Sequence, residues 1–407
     1  MRIYNNNTLF HPVRTVVGQE KTKELPTILA SIGCQNPLYI VSHAAEASGI
    51  SELFESNSPT DYYPLVAKEV DTNTIASLVI HFRKYNHDCV VGVGGGTVLD
   101  AAKITRLQLA VTSCDLEQLE GTSSRLPEKS IPLILIPTII GSSSGATKTA
   151  YLRKAHSEGF MYFSQRLLYP DVTILDTKVS RTVGGTQTVL SVATIVTRAV
   201  ESLTSNLASP LTDAYARQSI RLVVQHALRV VNSPHDAEAR LHLAIASQLT
   251  GMATSHTGAA LAHAISVAVA QTTPISYAQC MFIVLPHALH FNLTGNESAL
   301  IEIKACITGE HSLSNEKDEA EALAAITTIC DFLYSLTSSL PQAIPLRLYD
   351  ASKALHPNQL GQIAYIVYGS LDTLTSKQRP TLQDIGRVLE AAYWGYPLDR
   401  NHGLQKK

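Results

Sequence analysis

A run of closely spaced glycines has the composition of a phosphate-binding turn. Residues 92–97 read GVGGGT, after an apolar run and before a helical pattern. Glycine lets the backbone turn sharply and approach a ligand without a Cβ in the way, and the N–H groups at a helix start, with the helix dipole, bind anions. We predict a pyrophosphate site here, the alternative being a tight turn without a ligand. Thr97 stands where the G-x-G-x-x-G fingerprint has its last glycine.

A second segment places hydroxyl groups after another apolar run. Residues 137–147 read PTIIGSSSGAT and follow the apolar run 131–136. The hydroxyls and small side chains suit contacts to a ribose or a phosphate. Taken alone, the segment is better explained as a flexible Ser/Gly loop.

Both segments lie where short apolar runs alternate with helical patterns. Residues 74–84 predict a helix with one apolar face. Buried strands are predicted at 37–42, 89–93, 131–136 and 172–176. Because such strands alternate with helices, they imply a parallel sheet covered on both faces. We predict an α/β N-terminal dinucleotide-binding domain with a parallel sheet over residues 1–177.

From residue 178 onward the pattern changes to long helices, so we predict an all-α C-terminal domain over 178–407. Its helices are predicted at 187–206, 210–231, 236–253, 257–270, 281–291, 317–338 and 382–393. Helix ends are expected at Pro234, Pro274, Pro286, Pro341, Pro345 and Pro357. With no flexible linker between them, the domains are expected to form a ligand cleft.

Composition narrows the classes of function. The 407 residues are 45% hydrophobic and 16% charged with a net charge of −2, which is typical of a globular protein and gives no overall basic field for nucleic acid. No signal peptide is recognisable, and no apolar run approaches the ~18 residues of a membrane span. The six scattered cysteines are typical of reduced thiols. We expect a cytoplasmic enzyme that binds neither nucleic acid nor a membrane.

Together the two loops resemble those of the iron-containing alcohol dehydrogenase superfamily, which includes glycerol dehydrogenase, dehydroquinate synthase and maleylacetate reductase. Residues 94–103 resemble its G-G-G-S-x-x-D-x-A-K motif, and residues 137–145 its P-T-T-x-G-[ST]-G-S-E motif. Residues 170–176 are similar to its P-x-x-x-I-x-D segment, and residues 285–292 to its L-P-H-V-x-x-F-N helix. The resemblance covers most of the chain.

This resemblance implies a bound NADH or NADPH. The implied cofactor contacts are Gly94, Gly95, Gly96, Thr97 and Asp100 of the first motif, and Thr138, Ser142 and Ser144 of the second. The family's acidic residue that binds the ribose 2′-hydroxyl falls near His43, so NADPH is as plausible as NADH. The chain departs from the family at Gly145, where the second motif has Glu, and at Phe160, where the family has a Lys.

The resemblance also identifies the family's metal-ligand positions, most of which carry other residues here. Its Asp and His, four apart on one helix, correspond to Thr194 and Arg198, and its two later His residues to His263 and Tyr277. A catalytic metal generally needs about three protein ligands, and a permanently charged guanidinium repels a divalent ion. We therefore predict an enzyme that works without a metal ion.

Three residues are the predicted catalytic groups of this site. Arg198 is expected to polarise a substrate carbonyl or to bind a substrate carboxylate, and His263 and Tyr277 are expected to donate protons. Structural roles are the alternatives: Arg198 paired with a carboxylate such as Glu201, Tyr277 as a packing aromatic, and His263 as a hydrogen-bonded core residue.

The leading function is a metal-independent, NAD(P)H-dependent reduction of a small carbonyl substrate, with a homodimer implied by the resemblance. Two other functions remain open. One is a non-redox lyase, isomerase or cyclase on the same scaffold, and the other is a catalytically silent nucleotide-binding protein.

Overall fold

The structure is a computed structural model that describes residues 8–47, 58–66, 70–111, 115–122, 127, 130–156, 159–181, 183–310 and 318–395. The chain forms two compact units. The first, here the sheet unit, comprises Phe10–Val183 and Pro234–Gly251. The second, here the helical unit, comprises Met1–Leu9, Gly184–Ser233 and Met252–Lys407. The domain boundary between residues 177 and 178 stays a prediction, and Cys114 lies outside the described residues.

The sheet unit contains a six-stranded sheet and a separate two-stranded hairpin. Its strands are β1 (Arg14–Gly18), β2 (Pro37–Ser42), β3 (Tyr62–Leu65), β4 (Cys89–Gly94), β5 (Leu133–Pro137), β6 (Thr149–Arg153), β7 (Phe160–Ser164) and β8 (Val172–Asp176). All pairs in the order β1-β8-β5-β4-β2-β3 are parallel, whereas β6 and β7 pair antiparallel. The predicted parallel sheet is confirmed.

Helices cover both faces of this sheet. They are α1 (Leu25–Ser31), α2 (His43–Ala47), α3 (Thr72–Lys84), α4 (Gly96–Ala110) and α5 (Thr177–Ser180). Side chains alternate along β4, so that Val90 packs in one core with residues of α3 and α4, and Val91 packs in another with residues of α1. This two-faced burial explains why the strands are almost continuously apolar.

The remaining elements are helical. They are α6 (Gly185–Thr204), α7 (Pro210–Asn232), α8 (Ala237–Thr257), α9 (Leu261–Thr272), α10 (Tyr277–Phe291), α11 (Glu297–Thr308), α12 (Glu319–Ser335), α13 (Leu348–Ala351), α14 (Leu360–Tyr368) and α15 (Leu382–Trp394). Local sequence sets several helix starts: Ser209 and Thr212 form a capping box before α7, with Pro210 in its first turn. The predicted all-helical C-terminal part is confirmed.

The prediction that Pro286 ends a helix is wrong. Pro286 lies inside α10, which continues to Phe291. A proline inside a helix removes one backbone hydrogen bond and crowds the preceding turn. The apolar neighbours Leu285 and Leu289 are buried, and their burial offsets that cost.

Among the described residues, one helical stretch, Glu319–Ser339, is long and apolar enough to meet a length-and-composition criterion for a membrane span. Buried core helices meet the same criterion, and Ala325, Ile326, Ile329 and Leu333 of this stretch are buried within the helical unit. Composition alone is therefore weak evidence for a membrane span.

Candidate functional site

The glycine turn joins β4 to the start of α4. Gly95 is the N-cap of α4, and its carbonyl accepts hydrogen bonds from the N–H groups of Val98 and Leu99. The N–H groups of Gly96 and Thr97 lie in the first turn, where an α-helix offers no internal acceptor. Thr97 is exposed at this turn. The geometry therefore suits an anion at the positive end of the helix dipole.

Close approach of the second loop explains why glycine occupies this turn. A Cβ at Gly95 would lie 3.0 Å from Cδ1 of Ile139, and one at Gly96 would lie 2.9 Å from Cβ of Ser142. The N–H of Thr138 donates to the carbonyl of Gly94 at 3.0 Å. The two predicted cofactor loops are thus in direct contact within the sheet unit.

Asp100 links the second loop to α4 and β6. Ser144 Oγ donates to Asp100 Oδ1 at 2.6 Å, and the N–H of Tyr151 donates to Asp100 Oδ2 at 3.1 Å. Ser142 Oγ accepts from the N–H of Ser144 at 3.3 Å. Asp100 and Ser144 therefore hold the loop in place with their side chains, while Ser142 is partly exposed and lines a small cavity.

Tight packing beneath the second loop explains why Gly145 stands where the family motif has Glu. A Cβ at Gly145 would lie 2.7 Å from Cγ2 of Thr173, whose Oγ1 donates to the carbonyl of Gly145 at 2.6 Å. A glutamate at this position would require the side chain of Thr173 in β8 to move. On the other side, Gly251 allows α8 to approach the loop, since a Cβ there would lie 2.6 Å from the carbonyl oxygen of Ser143.

His43 and Phe160 are placed outside these loops. His43 is the exposed first residue of α2, directly after β2, and its Nδ1 lies 3.7 Å from Oε2 of Glu46. Phe160 begins β7 of the hairpin, where it pairs with Arg153.

A second group of polar side chains lies within the helical unit, and we call it the polar cluster. It consists of Arg198 and Glu201 on α6, Thr254 on α8, His263 on α9, Tyr277 on α10 and Asp372 in the short 3-10 helix Leu371–Thr375. Arg198 and Glu201 are three residues apart, which places them on one face of α6. Arg198 and His263, whose side chains are charged or can become charged, are both buried: Arg198 is 9% exposed and His263 is 5% exposed.

Hydrogen bonds connect these residues across elements. His263 Nδ1 lies 2.8 Å from the Tyr277 hydroxyl oxygen, and the His263 backbone N–H donates to Glu201 Oε1 at 3.1 Å. Arg198 Nη2 donates to Thr254 Oγ1 at 3.1 Å. Asp372 Oδ2 lies 3.8 Å from His263 Nε2. The predicted residues His263 and Tyr277 are thus in direct contact.

Burial and the charge of Arg198 control ionisation in the cluster. Burial, and after it the positive charge of Arg198, lower the pKa of His263 to about 3, so the imidazole is neutral at pH 7 despite the Asp372 carboxyl group nearby. Burial raises the pKa of Glu201 to about 7 against the opposing hydrogen bonds from the His263 and Ala260 backbone. Burial also raises the pKa of Tyr277 well above its usual value.

The residues at the family's metal positions do not fit a divalent ion. Thr194 Oγ1 donates to the carbonyl of Leu190 within its own helix at 2.9 Å. Arg198 brings a positive charge close enough to lower the pKa of His263. His263 Nδ1 is engaged by the Tyr277 hydroxyl. One imidazole, two hydroxyl groups and a cation do not supply the three ligands that a catalytic metal generally needs.

Among the described residues, a different group has the spacing of metal ligands: Cys34, Asp88 and Cys89. Both oxygens of Asp88 already accept backbone N–H groups, from Gln35 at 2.7 Å and from Asn36 at 3.0 Å. Burial raises the pKa of both thiols, which disfavours the thiolate that binds metals. Cys89 begins β4, at the opposite end of the strand from the glycine turn, so this group is remote from the candidate cofactor site.

Three members of the polar cluster had little or no sequence signal. Glu201 could be found from its i+3 spacing to Arg198, but only as a structural partner. Asp372 lies 109 residues after His263 in the chain (372 − 263), and no spacing pattern connects the two. Thr254 likewise enters the cluster only through the packing of α8.

Comparisons with known proteins agree with this architecture. Residues 12–177 match the family model described as iron-containing alcohol dehydrogenase, and residues 188–393 match that of the Fe-containing alcohol dehydrogenase family C-terminal region. An NAD-dependent methanol dehydrogenase of Bacillus methanolicus is 24% identical over 94% of this chain and 99% of its own length. A 1,3-propanediol dehydrogenase of Klebsiella pneumoniae is 31% identical over 67% of this chain and 68% of its own.

A solved 1,3-propanediol oxidoreductase superposes with a TM-score of 0.85 at 21% identity, covering 96% of this chain and 100% of that one. At that identity the superposition shows the shared fold. The family models together span most of the sequence. The chain therefore belongs to the iron-containing alcohol dehydrogenase family and is an NAD-dependent oxidoreductase.

Proposed function

We propose that this protein interconverts a small alcohol and its aldehyde or ketone, with NAD(H) or NADP(H) as hydride carrier and without a metal ion at the polar cluster. The observation that carries the proposal is that the buried cation Arg198 acts on the hydrogen-bonded pair His263 and Tyr277, at positions where the family has metal ligands. Relatives named for methanol and 1,3-propanediol support a small, uncharged substrate class.

The cofactor is proposed to lie on the sheet unit. The N–H groups of Gly96 and Thr97 at the start of α4 would hold the pyrophosphate, and Ser142 and Thr138 lie next to that turn. Nicotinamide supplies the hydride acceptor or donor. The position after β2 carries His43, which has no carboxylate to bind a ribose 2′-hydroxyl, so use of NADPH as well as NADH is part of the proposal.

In the polar cluster, three residues would take part in the reaction. Arg198 would stabilise the negative charge that develops on the substrate oxygen, since a buried permanent cation acts strongly in a site that excludes water. Tyr277 and His263 would exchange the proton of that oxygen. Whether Arg198 acts on the reacting oxygen or on a substrate carboxylate is decided by comparing neutral with carboxylated aldehydes.

The test is turnover of chelator-treated protein, followed by absorbance of the reduced nicotinamide at 340 nm. The EDTA-treated, metal-free protein is expected to retain full activity, and Arg198→Ala is expected to lose about 10²-fold or more in kcat/KM. Arg387→Ala, at an exposed position of α15 in the same unit, is the matched control and should change little.

Three results would contradict this function. Activity that disappears with chelation and returns with iron or zinc would exclude the metal-free site. Binding of NAD(P)H without turnover of any small alcohol, aldehyde or ketone would favour a silent nucleotide-binding protein. Substrate conversion without a change in absorbance at 340 nm would favour non-redox chemistry.

A cytoplasmic location is also proposed, from composition alone.

A further inference from the structure

We propose that Asp372 is a positioning residue that fixes the tautomer of His263, so that His263 Nδ1 accepts the proton of Tyr277 during alcohol oxidation. This inference rests on the proposed function, since it assigns the proton path of the same reaction. It adds a third member to the pair His263 and Tyr277 and gives each ring nitrogen of His263 a separate role.

Three different elements bring these side chains together. Tyr277 is the first residue of α10, His263 lies in the first turn of α9, and Asp372 lies in the 3-10 helix Leu371–Thr375. The Tyr277 hydroxyl oxygen lies 2.8 Å from Nδ1 of His263, and Asp372 Oδ2 lies 3.8 Å from Nε2, on the other side of the ring. The imidazole is therefore placed between a hydroxyl group and a carboxyl group.

The 3-10 helix that carries Asp372 is anchored on the helical unit. Ser370 Oγ donates to Asp372 Oδ2 at 3.2 Å and accepts from the Asp372 N–H at 3.2 Å. At its other end, the Thr375 hydroxyl donates to the Ala259 carbonyl just before α9, and the Thr375 carbonyl accepts the N–H of Asn206 at 2.8 Å. These bonds keep the carboxyl group on the Nε2 side of the ring.

A neutral imidazole has one N–H and one bare nitrogen, and its surroundings decide which is which. A carboxylate beside Nε2 favours the tautomer with the proton on Nε2, because a bare nitrogen there would face a second acceptor. Nδ1 is then bare and accepts the hydrogen of the Tyr277 hydroxyl. The Tyr277 oxygen keeps its lone pairs available for the hydroxyl proton of an alcohol.

The proton path balances in the oxidation direction. The substrate O–H bond breaks and its proton moves to the Tyr277 oxygen, while the Tyr277 proton moves to His263 Nδ1. The substrate C–H bond breaks with its electron pair, which leaves as hydride to the nicotinamide, and the carbon–oxygen double bond forms. The resulting imidazolium is stabilised by Asp372, and carbonyl reduction is the same path in reverse.

Charges around the ring make the transfer reversible. Arg198 disfavours a lasting positive charge on His263, whereas the Asp372 carboxyl group lies 3.8 Å from Nε2 on the other side of the balance. The accepted proton is consequently held weakly and is returned readily.

The test combines kinetics with NMR on Asp372→Asn. An amide at this position donates to Nε2 and thereby favours the opposite tautomer, so kcat is expected to fall on the order of 10²–10⁴-fold. The solvent deuterium isotope effect on kcat should rise, and the Kd for NAD(P)H should stay unchanged. Asp350→Asn, in α13 of the same unit, is the matched control and should retain wild-type kcat.

Ring ¹⁵N shifts of histidine-labelled protein report the tautomer without any turnover, with His263→Gln used to assign the signal. The wild-type His263 should be protonated at Nε2, and the Asp372→Asn variant at Nδ1. Protonation at Nδ1 in the wild type, or an unchanged kcat in a folded Asp372→Asn variant with a shifted tautomer, would overturn the inference. Absence of turnover in the wild-type protein would instead overturn the proposed function.

Discussion

The permanent charge of Arg198 changes what its neighbours can do at the residue scale. With a divalent ion, an imidazole would be a ligand, whereas beside a guanidinium the buried His263 is kept neutral and free to accept a hydrogen bond from Tyr277. Glu201, one turn further along α6, compensates part of the charge while its own pKa is raised. Its Oε2 atom has no hydrogen-bond partner among the described residues. Near neutral pH, Glu201 is therefore the group of the cluster whose protonation changes, whereas His263 and Tyr277 stay neutral.

Glu201 should give the folded protein a distinct pH dependence of stability. Its pKa rises from 4.5 to about 7 on folding, mainly through burial, so the folded chain binds this proton more tightly than the unfolded chain does. Its contribution to stability is therefore full below about pH 4.5 and is lost as the pH rises through about 7. Glu201→Gln should gain stability relative to wild type between pH 5 and pH 8, by as much as about 3 kcal/mol.

Urea unfolding of both proteins at the two pH values measures this difference. Glu310→Gln, at an exposed position, serves as the control and should show no such gain. A wild-type-to-variant difference that is the same at pH 5 and pH 8 would mean that Glu201 does not change its protonation over this interval.

Part of the candidate site could be predicted from sequence, because the chain resembles a known family. The sequence predicts Arg198, His263 and Tyr277 because family motifs locate them. The structure places His263 and Tyr277 in contact. Asp372 could not be predicted from the sequence, since it comes near His263 only through the packing of a 3-10 helix against α9. The hydrogen bond between Ser144 and Asp100 could not be predicted either, because a motif gives a residue type and not its partner.

At the scale of elements, the segments predicted best are those with a strong periodic pattern. The strands predicted at 37–42 and 172–176 coincide with β2 and β8, and the helix predicted at 210–231 matches α7 within one residue. The short edge strands β1 and β3 and the hairpin of β6 and β7 were missed. Buried and partly exposed residues alternate in β6 and β7, and most residues of β1 and β3 are partly exposed, so these strands lack the two-faced burial of the central strands.

The contact between α4 and the second loop gives a prediction about the cofactor. Gly96→Ala places a methyl group 2.9 Å from Cβ of Ser142, at a position where alanine suits the helix backbone. The loop must move away, and overpacking of this kind costs about 1–3 kcal/mol. The Kd for NAD(P)H, measured by fluorescence titration, should rise roughly 5- to 100-fold.

Gly386→Ala in α15 is the control for this prediction, since a Cβ there meets no atom within 4 Å. That variant should bind the cofactor normally and gain up to about 1 kcal/mol in stability from the better helix former. Normal cofactor affinity in Gly96→Ala would show that the two loops need not stay in contact for nucleotide binding.

At the scale of the whole molecule, we expect the chain to associate with a second copy of itself. The family resemblance predicts a homodimer, and the described part of the helical unit exposes large apolar side chains close together in sequence at Tyr365, Tyr368, Leu371 and Leu374. Exposed apolar groups clustered in this way are typical of contact surfaces. Light scattering during size-exclusion chromatography should therefore give about twice the 44.0 kDa of one chain.

Tyr365→Asp tests whether these side chains form the contact. Tyr365 is 70% exposed, so the substitution costs the single chain little, but in a dimer it would bury a charge against apolar groups. The variant should shift to the mass of one chain, whereas Ile80→Asp, at a 66% exposed position of the sheet unit, should keep the wild-type mass. A wild-type mass near 44.0 kDa at micromolar concentration would contradict the dimer, and a dimeric Tyr365→Asp would place its contact elsewhere.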